Sequence, residues 1–335
     1  MVKELEKNIW LLQIPLPKSP LKIINSYLIK GEDTHLLIDT GFNCEESEKA
    51  LMDCFRQIGV DKKDIDIFIT HSHSDHSGLA GKMIERGRNI YCSRTTYNNI
   101  NNLTDLNEWQ KIFTKAEKLG FEKDLSYYLN AHPGFKYSNS SKIRAIVIDE
   151  GHRFQVGDYN LECIAAPGHD PGMLCLYEKN NRLLFSGDHI LSEITPNISC
   201  WSITTNPLSD YLNSLKKIKE LPIDKIFPSH RSILENSRKR VNELEKHSLE
   251  RIIEVENILK KYNEQTAYQV ATKLKWKIPV KSWKEVNPGQ KWFATGEAMA
   301  YLAFLYSKDR ITLNSDDSYL FKINRNYKPP YNLKF

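Results

Sequence analysis

Residues 70–78 read THSHSDHSG, which places three histidines and an aspartate within six positions of a chain that has ten histidines in 335 residues. The run follows directly on DIDIFIT (64–70), a short apolar stretch that reads as a buried strand. Neutral imidazole is the commonest metal ligand, and carboxylates complete hard or borderline sites. His71 and His73, two apart at a strand end, point to the same side. Asp75 and His76 then turn with the loop towards a different point in space. So short a loop does not easily wrap all four donors around one ion, so two adjacent ions are expected, each needing ligands from elsewhere.

Three later positions supply them. His169 stands in APGHDPG (166–172), Asp188 ends RLLFSGD (182–188) and His230 ends DKIFPSH (224–230). Each follows a predicted strand, so all three can gather at one edge of the sheets. His71, His73 and His169 then suffice for one ion, and Asp75, His76 and His230 for the other. Asp188, with two carboxylate oxygens, can bridge them. That is the stoichiometry of a two-metal hydrolytic site.

The order H-x-H-x-D-H, His169, Asp188, His230 resembles the metallo-β-lactamase-fold superfamily, and so does LIDTG at 37–41. The likeness runs over about residues 9–235. It implies an α+β fold, a four-layer αβ/βα sandwich with metals at the top of the sheets. It further implies that Asp39 hydrogen-bonds a metal-ligating histidine. Within the superfamily, SGDHILSEITPNI (186–198), the insertion and the helical C-terminal part are similar to bacterial hydrolases of the glyoxalase II-like branch and to the β-lactamase-like protein 2 group. Asp188 stands where true metallo-β-lactamases carry Cys or Ser, which argues against antibiotic hydrolysis. His73 stands where flavodiiron oxidoreductases carry Glu. Persulfide dioxygenases, which use one iron, share most of these ligands.

The expected cofactors are two divalent ions, zinc first, with iron and manganese also suited to His/Asp donors. The expected reaction is attack of a metal-bridging hydroxide, oriented by Asp75, on the carbonyl of a small-molecule ester, thioester or lactone. Lower-ranked candidates for substrate contact are Arg231, Trp201 and His189. His189 follows Asp188 directly and so points to the opposite face, which favours a core position. His132 and His152 read as solvated loop residues, and His35 and His247 as incidental. The aromatic residues Trp109, Phe113, Tyr127 and Tyr128 serve either as a roof over the pocket or as packing.

The rest of the chain frames this centre. Apolar residues make up 40% and charged residues 27%, as in a globular protein. No run of about 18 uncharged apolar residues is present to span a membrane. Neither a secretory pattern at the N-terminus nor a C-x-x-C among the six cysteines is seen, so a cytoplasmic protein with reduced thiols is expected. Residues 1–236 form the expected catalytic domain, with a helical insertion at about 94–142. Residues 237–335 read as three helices followed by a hairpin, the element order of a winged helix. The net charge of +5 is uneven: 19 Lys/Arg against 11 Asp/Glu after residue 236 give +8, leaving −3 before it. This motivates an alternative, a nucleic-acid-binding RNase-type hydrolase. The third helix is nevertheless strongly apolar, with few cations placed to read a groove, and its apolar character suits packing on the core or a homodimer.

Overall fold

The computed structural model describes residues 1–121, 126–277 and 282–327. The last eight residues of the expected C-terminal domain lie outside them. A seven-stranded sheet holds β1 (Val2–Glu6), β2 (Ile9–Pro15), β3 (Ile23–Ile29), β4 (His35–Ile38), β5 (Ile65–Phe68), β6 (Ile90–Cys92) and β7 (Ile146–Val147), in that spatial order. A five-stranded sheet holds β8 (Arg153–Val156), β9 (Tyr159–Ala165), β10 (Leu174–Glu178), β11 (Leu183–Gly187) and β12 (Lys225–Pro228), in the order 12-11-10-9-8. β4, β5, β6 and β7 pair in parallel, as do β11 and β12.

Side-chain alternation along these strands builds the layers. Leu174 and Leu176 of β10 face Tyr27, Leu36 and Phe68 in a core between the sheets, whereas Cys175 and Tyr177 face the opposite way. Likewise Phe68 of β5 enters the inter-sheet core while Ile65 and Ile67 pack outward. The outer face of the first sheet is covered by α1 (Glu45–Ile58), α3 (Ala80–Met83) and α4 (Arg94–Asn102), and the one-turn α2 (Ser74–Ser77) carries Asp75 and His76. Three acidic residues in the first turn of α1 complement its dipole, and Gly59, left-handed at φ 72°, ends it.

The insertion is helical, as expected: α4 is followed by α5 (Leu106–Lys118), α6 (Ser126–Ala131) and α7 (Pro133–Tyr137). Trp109, Phe113 and Phe121 bury their rings against Trp292, so Trp109 and Phe113 serve as packing. The outer face of the second sheet carries α8 (Pro207–Lys219), α9 (Ser237–Tyr262), α10 (Ala267–Ala271) and α11 (Pro288–Ser307), then the hairpin β13 (Ile311–Asn314) and β14 (Leu320–Ile323). The chain is therefore a four-layer αβ/βα sandwich. Val241, Leu244 and Val255 of α9 and Met299 and Leu302 of α11 share one apolar cluster with Tyr211 and Leu215 of α8 and with Cys175 of β10. The helices after residue 236 thus thicken the fourth layer and are continuous with its core. Among the described residues no helix is long and apolar enough to cross a membrane.

Candidate metal centre

Five strands end at one edge. β4 leads into Asp39, β5 into residues 70–76, β9 into His169, β11 into Asp188 and β12 into His230. Parallel pairing of β4 with β5 and of β11 with β12 sends these exits in a common direction within each sheet. The two sheets meet at Gly187, whose φ of +54° is left-handed and where a Cβ would lie 3.1 Å from Thr70 Cβ. Glycine is needed there by both backbone conformation and space.

Asp39 ties the first group of donors together. It is fully buried and adopts a left-handed φ of 59°, a conformation that costs a non-glycine residue about 1–2 kcal/mol. Its carboxylate accepts from Thr70 N and from Thr70 Oγ1, both at 2.8 Å, and from His76 Nδ1 at 2.7 Å. The Thr70 hydroxyl, committed as donor to Asp39, is left to accept from His71 Nδ1 at 3.0 Å. A second strut joins the two histidine loops, because Ser72 Oγ and Gly172 N both donate to Asp170, at 2.5 and 2.6 Å.

These bonds decide which ring nitrogens carry lone pairs. A ring nitrogen facing a carbonyl or a carboxylate must donate, which leaves the other nitrogen of a neutral imidazole bare. His76 faces Asp39, His169 faces Asn197 O at 2.7 Å, and His230 faces Ile23 O at 2.9 Å. In the neutral form that a cation would require, the Nε2 atoms of His71, His76, His169 and His230 therefore all present lone pairs. His71 Nε2 and His169 Nε2 each lie 3.0 Å from His73 Nδ1. His230 Nε2 lies 3.3 Å from Asp75 Oδ2 and 3.5 Å from Asp188 Oδ1, while His76 Nε2 lies 3.6 Å from the same Asp188 oxygen. The other oxygen of Asp188 lies 3.6 Å from His169 Nε2.

Lone pairs aimed at carboxylate oxygens repel unless a cation, or a proton on the ring, stands between them. His76 Nε2, His230 Nε2 and Asp188 Oδ1 are buried with no hydrogen-bond partner, a costly state for polar atoms. Donors sharing a tetrahedral ion at zinc-like bond lengths sit about 3.3 Å apart, close to the spacings found. The donor set fits divalent cations: the ligand atoms of His71, His73 and His169 lie within 4.8 Å of one another, as do those of Asp75, His76 and His230, and the overlapping set His71, His76 and Asp188 joins the two.

The electrostatics agree. Burial opposes ionisation of Asp75, but the His76 and His230 imidazoles outweigh it and bring its pKa down to about 2. Burial likewise opposes the charged form of His76, yet Asp39, Asp75 and Asp188 raise its pKa well above the ordinary histidine value. His169, dominated by burial and the nearby His73, falls to about 4. The carboxylate side of the centre thus attracts positive charge, whereas burial disfavours the charged forms of His71 and His169.

Other sequence candidates stand apart from the seven. His189 is fully buried with its ring 5.1 Å from that of Tyr211, because the residue after Asp188 faces the outer layer. Arg231 lines a groove with Leu11, Ile23 and Ile233, and none of the seven donors lines it. Trp201 stacks on Trp292 at 4.2 Å and 26° and borders another groove with Lys115 and Tyr319. His132, expected in a solvated loop, instead caps α7, accepting from Gly134 N at 3.0 Å among Trp109, Trp292 and Phe293. Sequence reasoning passed over Thr70, Asp170 and Asn197. Adjacency to His71 and His169 was a signal for the first two, and Asn197 had none.

Residues 20–230 match the model of the metallo-beta-lactamase superfamily, and the chain belongs to that superfamily. Among curated proteins, it is 29% identical over 255 residues to a beta-lactamase-like protein 2 homolog of Caenorhabditis elegans, covering 75% of this chain and 70% of that one. It is 22% identical over 232 residues to the human acyl-coenzyme A thioesterase MBLAC2, covering 62% and 72%. Among solved structures, a metallo-beta-lactamase family protein of Thermus thermophilus superposes with a TM-score of 0.82 at 22% identity, covering 96% of this chain and all of that one. This likeness shows that the shared fold extends through the C-terminal helices.

Proposed function

We propose that the chain is a dinuclear metal-dependent hydrolase that cleaves a small-molecule thioester, with esters and lactones as chemically adjacent substrates. The observation that carries this reading is the division of Asp188, with Oδ1 towards His76 and His230 and Oδ2 towards His169. One carboxylate thus faces two donor groups. His71, His73 and His169 would hold one cation, and Asp75, His76 and His230 the other. When bound, such a pair supplies hydroxide near neutral pH and polarises the scissile carbonyl.

The side chains do the rest. Asp75 keeps 12% of its side chain exposed, more than His76 at 0% or His230 at 1%. Ionised well below neutral pH, it can accept a hydrogen bond from the attacking water and orient it. Asp39, Asn197 O and Ile23 O hold His76, His169 and His230 in the tautomers the centre needs. The human relative named as an acyl-coenzyme A thioesterase favours the thioester within the carbonyl substrates.

The test is hydrolysis by the purified full-length chain, loaded with zinc, of a panel of acyl thioesters, aryl esters and lactones, with Asp188→Ala as control. Thioester turnover lost in the variant supports the reading, and no turnover across the panel overturns it. Elemental analysis separates two zinc ions per chain from the single iron of a dioxygenase.

A further inference from the structure

Asn197 lies in the segment between β11 and α8, and its carbonyl receives the Nδ1–H of His169. Its side chain is held at both ends. Ser199 Oγ donates to Asn197 Oδ1 at 2.5 Å, while Asn197 Nδ2 donates to Glu297 Oε2 at 2.9 Å and to Phe293 O at 3.4 Å. Phe293 and Glu297 are four residues apart on α11 and so share one face of it. Between them Gly296 lets the same segment cross at close range. Cys200 N donates to Gly296 O at 2.9 Å, and a Cβ on Gly296 would lie 2.9 Å from Ser199 Oγ and 3.0 Å from Trp201 Cζ2. Helix α11 thus grips the backbone that fixes a histidine of the metal centre.

Glu297 is an unusual residue to find here. Its helix is otherwise among the most apolar in the chain, and burial raises the carboxyl pKa against the pull of Arg251. Tyr301, one turn on, donates to the other carboxyl oxygen at 3.3 Å. Packing alone would be served by leucine at this position. What the carboxylate adds is a strong acceptor for the Asn197 amide.

The geometry points to Glu297 as a positioning residue for the metal centre: through Asn197 it fixes the direction and hydrogen bond of His169, and so the affinity of the His71/His73/His169 group for its cation. This rests on the metal-centre reading above, but not on the substrate. A group bonded directly to a ligating histidine is worth about 10- to 100-fold in metal affinity, which sets the upper bound for Glu297, acting one bond further out through Asn197. The effect should be confined to one of the two sites, because His230 and His76 are held by Ile23 O and Asp39, on the other sheet.

Zinc affinity of the full-length chain, measured by competition with a chromophoric chelator, tests this in the wild type, Glu297→Leu, Glu297→Gln and Asn197→Ala. One of two zinc affinities should fall several-fold, by up to about 10- to 100-fold, in Glu297→Leu and Asn197→Ala. Glu297→Gln, which keeps an acceptor oxygen, should return close to wild type. Cobalt substitution should show the ligand-field bands of one site shifted and those of the other unchanged. Unaltered affinities in Glu297→Leu, or equal weakening of both sites, would overturn the proposal. Should Glu297→Leu fail to fold, Asn197→Ala decides by the same criterion. A chain that binds two zincs but hydrolyses no thioester would sink the substrate reading and leave this one standing.

Discussion

Gly187 and Thr70 touch where the two sheets close: a Cβ on Gly187 would sit 3.1 Å from both Thr70 Cβ and Oγ1. One precedes Asp188, and the other carries the hydroxyl that links Asp39 to His71. Any side chain at 187 must separate the halves of the centre or strain the backbone. Gly187→Ala should therefore cost about 1–2 kcal/mol for the left-handed conformation, with crowding in addition. A urea midpoint equal to wild type would contradict this.

Asp39→Asn keeps the shape of the side chain and tolerates the left-handed φ, but it removes the anion that fixes the His76 proton on Nδ1. Metal affinity or turnover should fall about 10- to 100-fold, with little change in the far-ultraviolet circular dichroism. Full retention of two ions and of activity would show that Asp39 only supports the loop.

His132 sets an acid limit on stability. Burial, with a smaller contribution from His73, lowers its pKa from 6.5 to about 3. A histidine depressed in the folded state binds its proton more readily when unfolded, so its contribution is complete above about 6.5 and is lost as pH falls towards about 3. His132→Asn, which removes the titration and can still cap α7, should flatten the stability profile between these limits. Urea midpoints measured across that range with parallel slopes for variant and wild type would dismiss the idea.

Removal of metal should destabilise the fold itself, because the buried lone pairs and carboxylates of the centre then lose their counter-charge. Chelator-treated protein should unfold at lower urea and recover on adding zinc, by about 2.7 kcal/mol when free zinc is 100 times its dissociation constant. A midpoint indifferent to zinc would count against a cation at these residues.

Much of this was legible in the sequence because strand-ending motifs need only local pattern. His71, His73, Asp75, His76, His169, Asp188 and His230 all sit in or directly after an apolar run, and strand pairing within each sheet with packing between the two sheets did the gathering. β1 went unread, since in Val2–Glu6 the charges alternate with only two apolar residues, and the strand is made by its pairing with β2. The place of His132 was hidden for a related reason. Its aromatic surroundings come from residues about 20 and 160 positions away, and no local composition reports them. Asn197 was invisible because its function lies in a backbone carbonyl, which every residue possesses. The C-terminal helices were read correctly as helices, yet the packing that joins α11 to the segment at 197–201 depends on Gly296 and on an acceptor at 297, both ordinary letters in a helical stretch.

The grip of α11 on that segment carries a lesson for how the chain can be divided. All seven donors precede residue 231, and the family match stops at residue 230. A shortened version ending there would look complete by inventory. It would nonetheless lack the prop behind one imidazole and expose the apolar flank of its fourth layer, so the stretch after residue 236 is better regarded as the buttress of that layer than as an attachment to it.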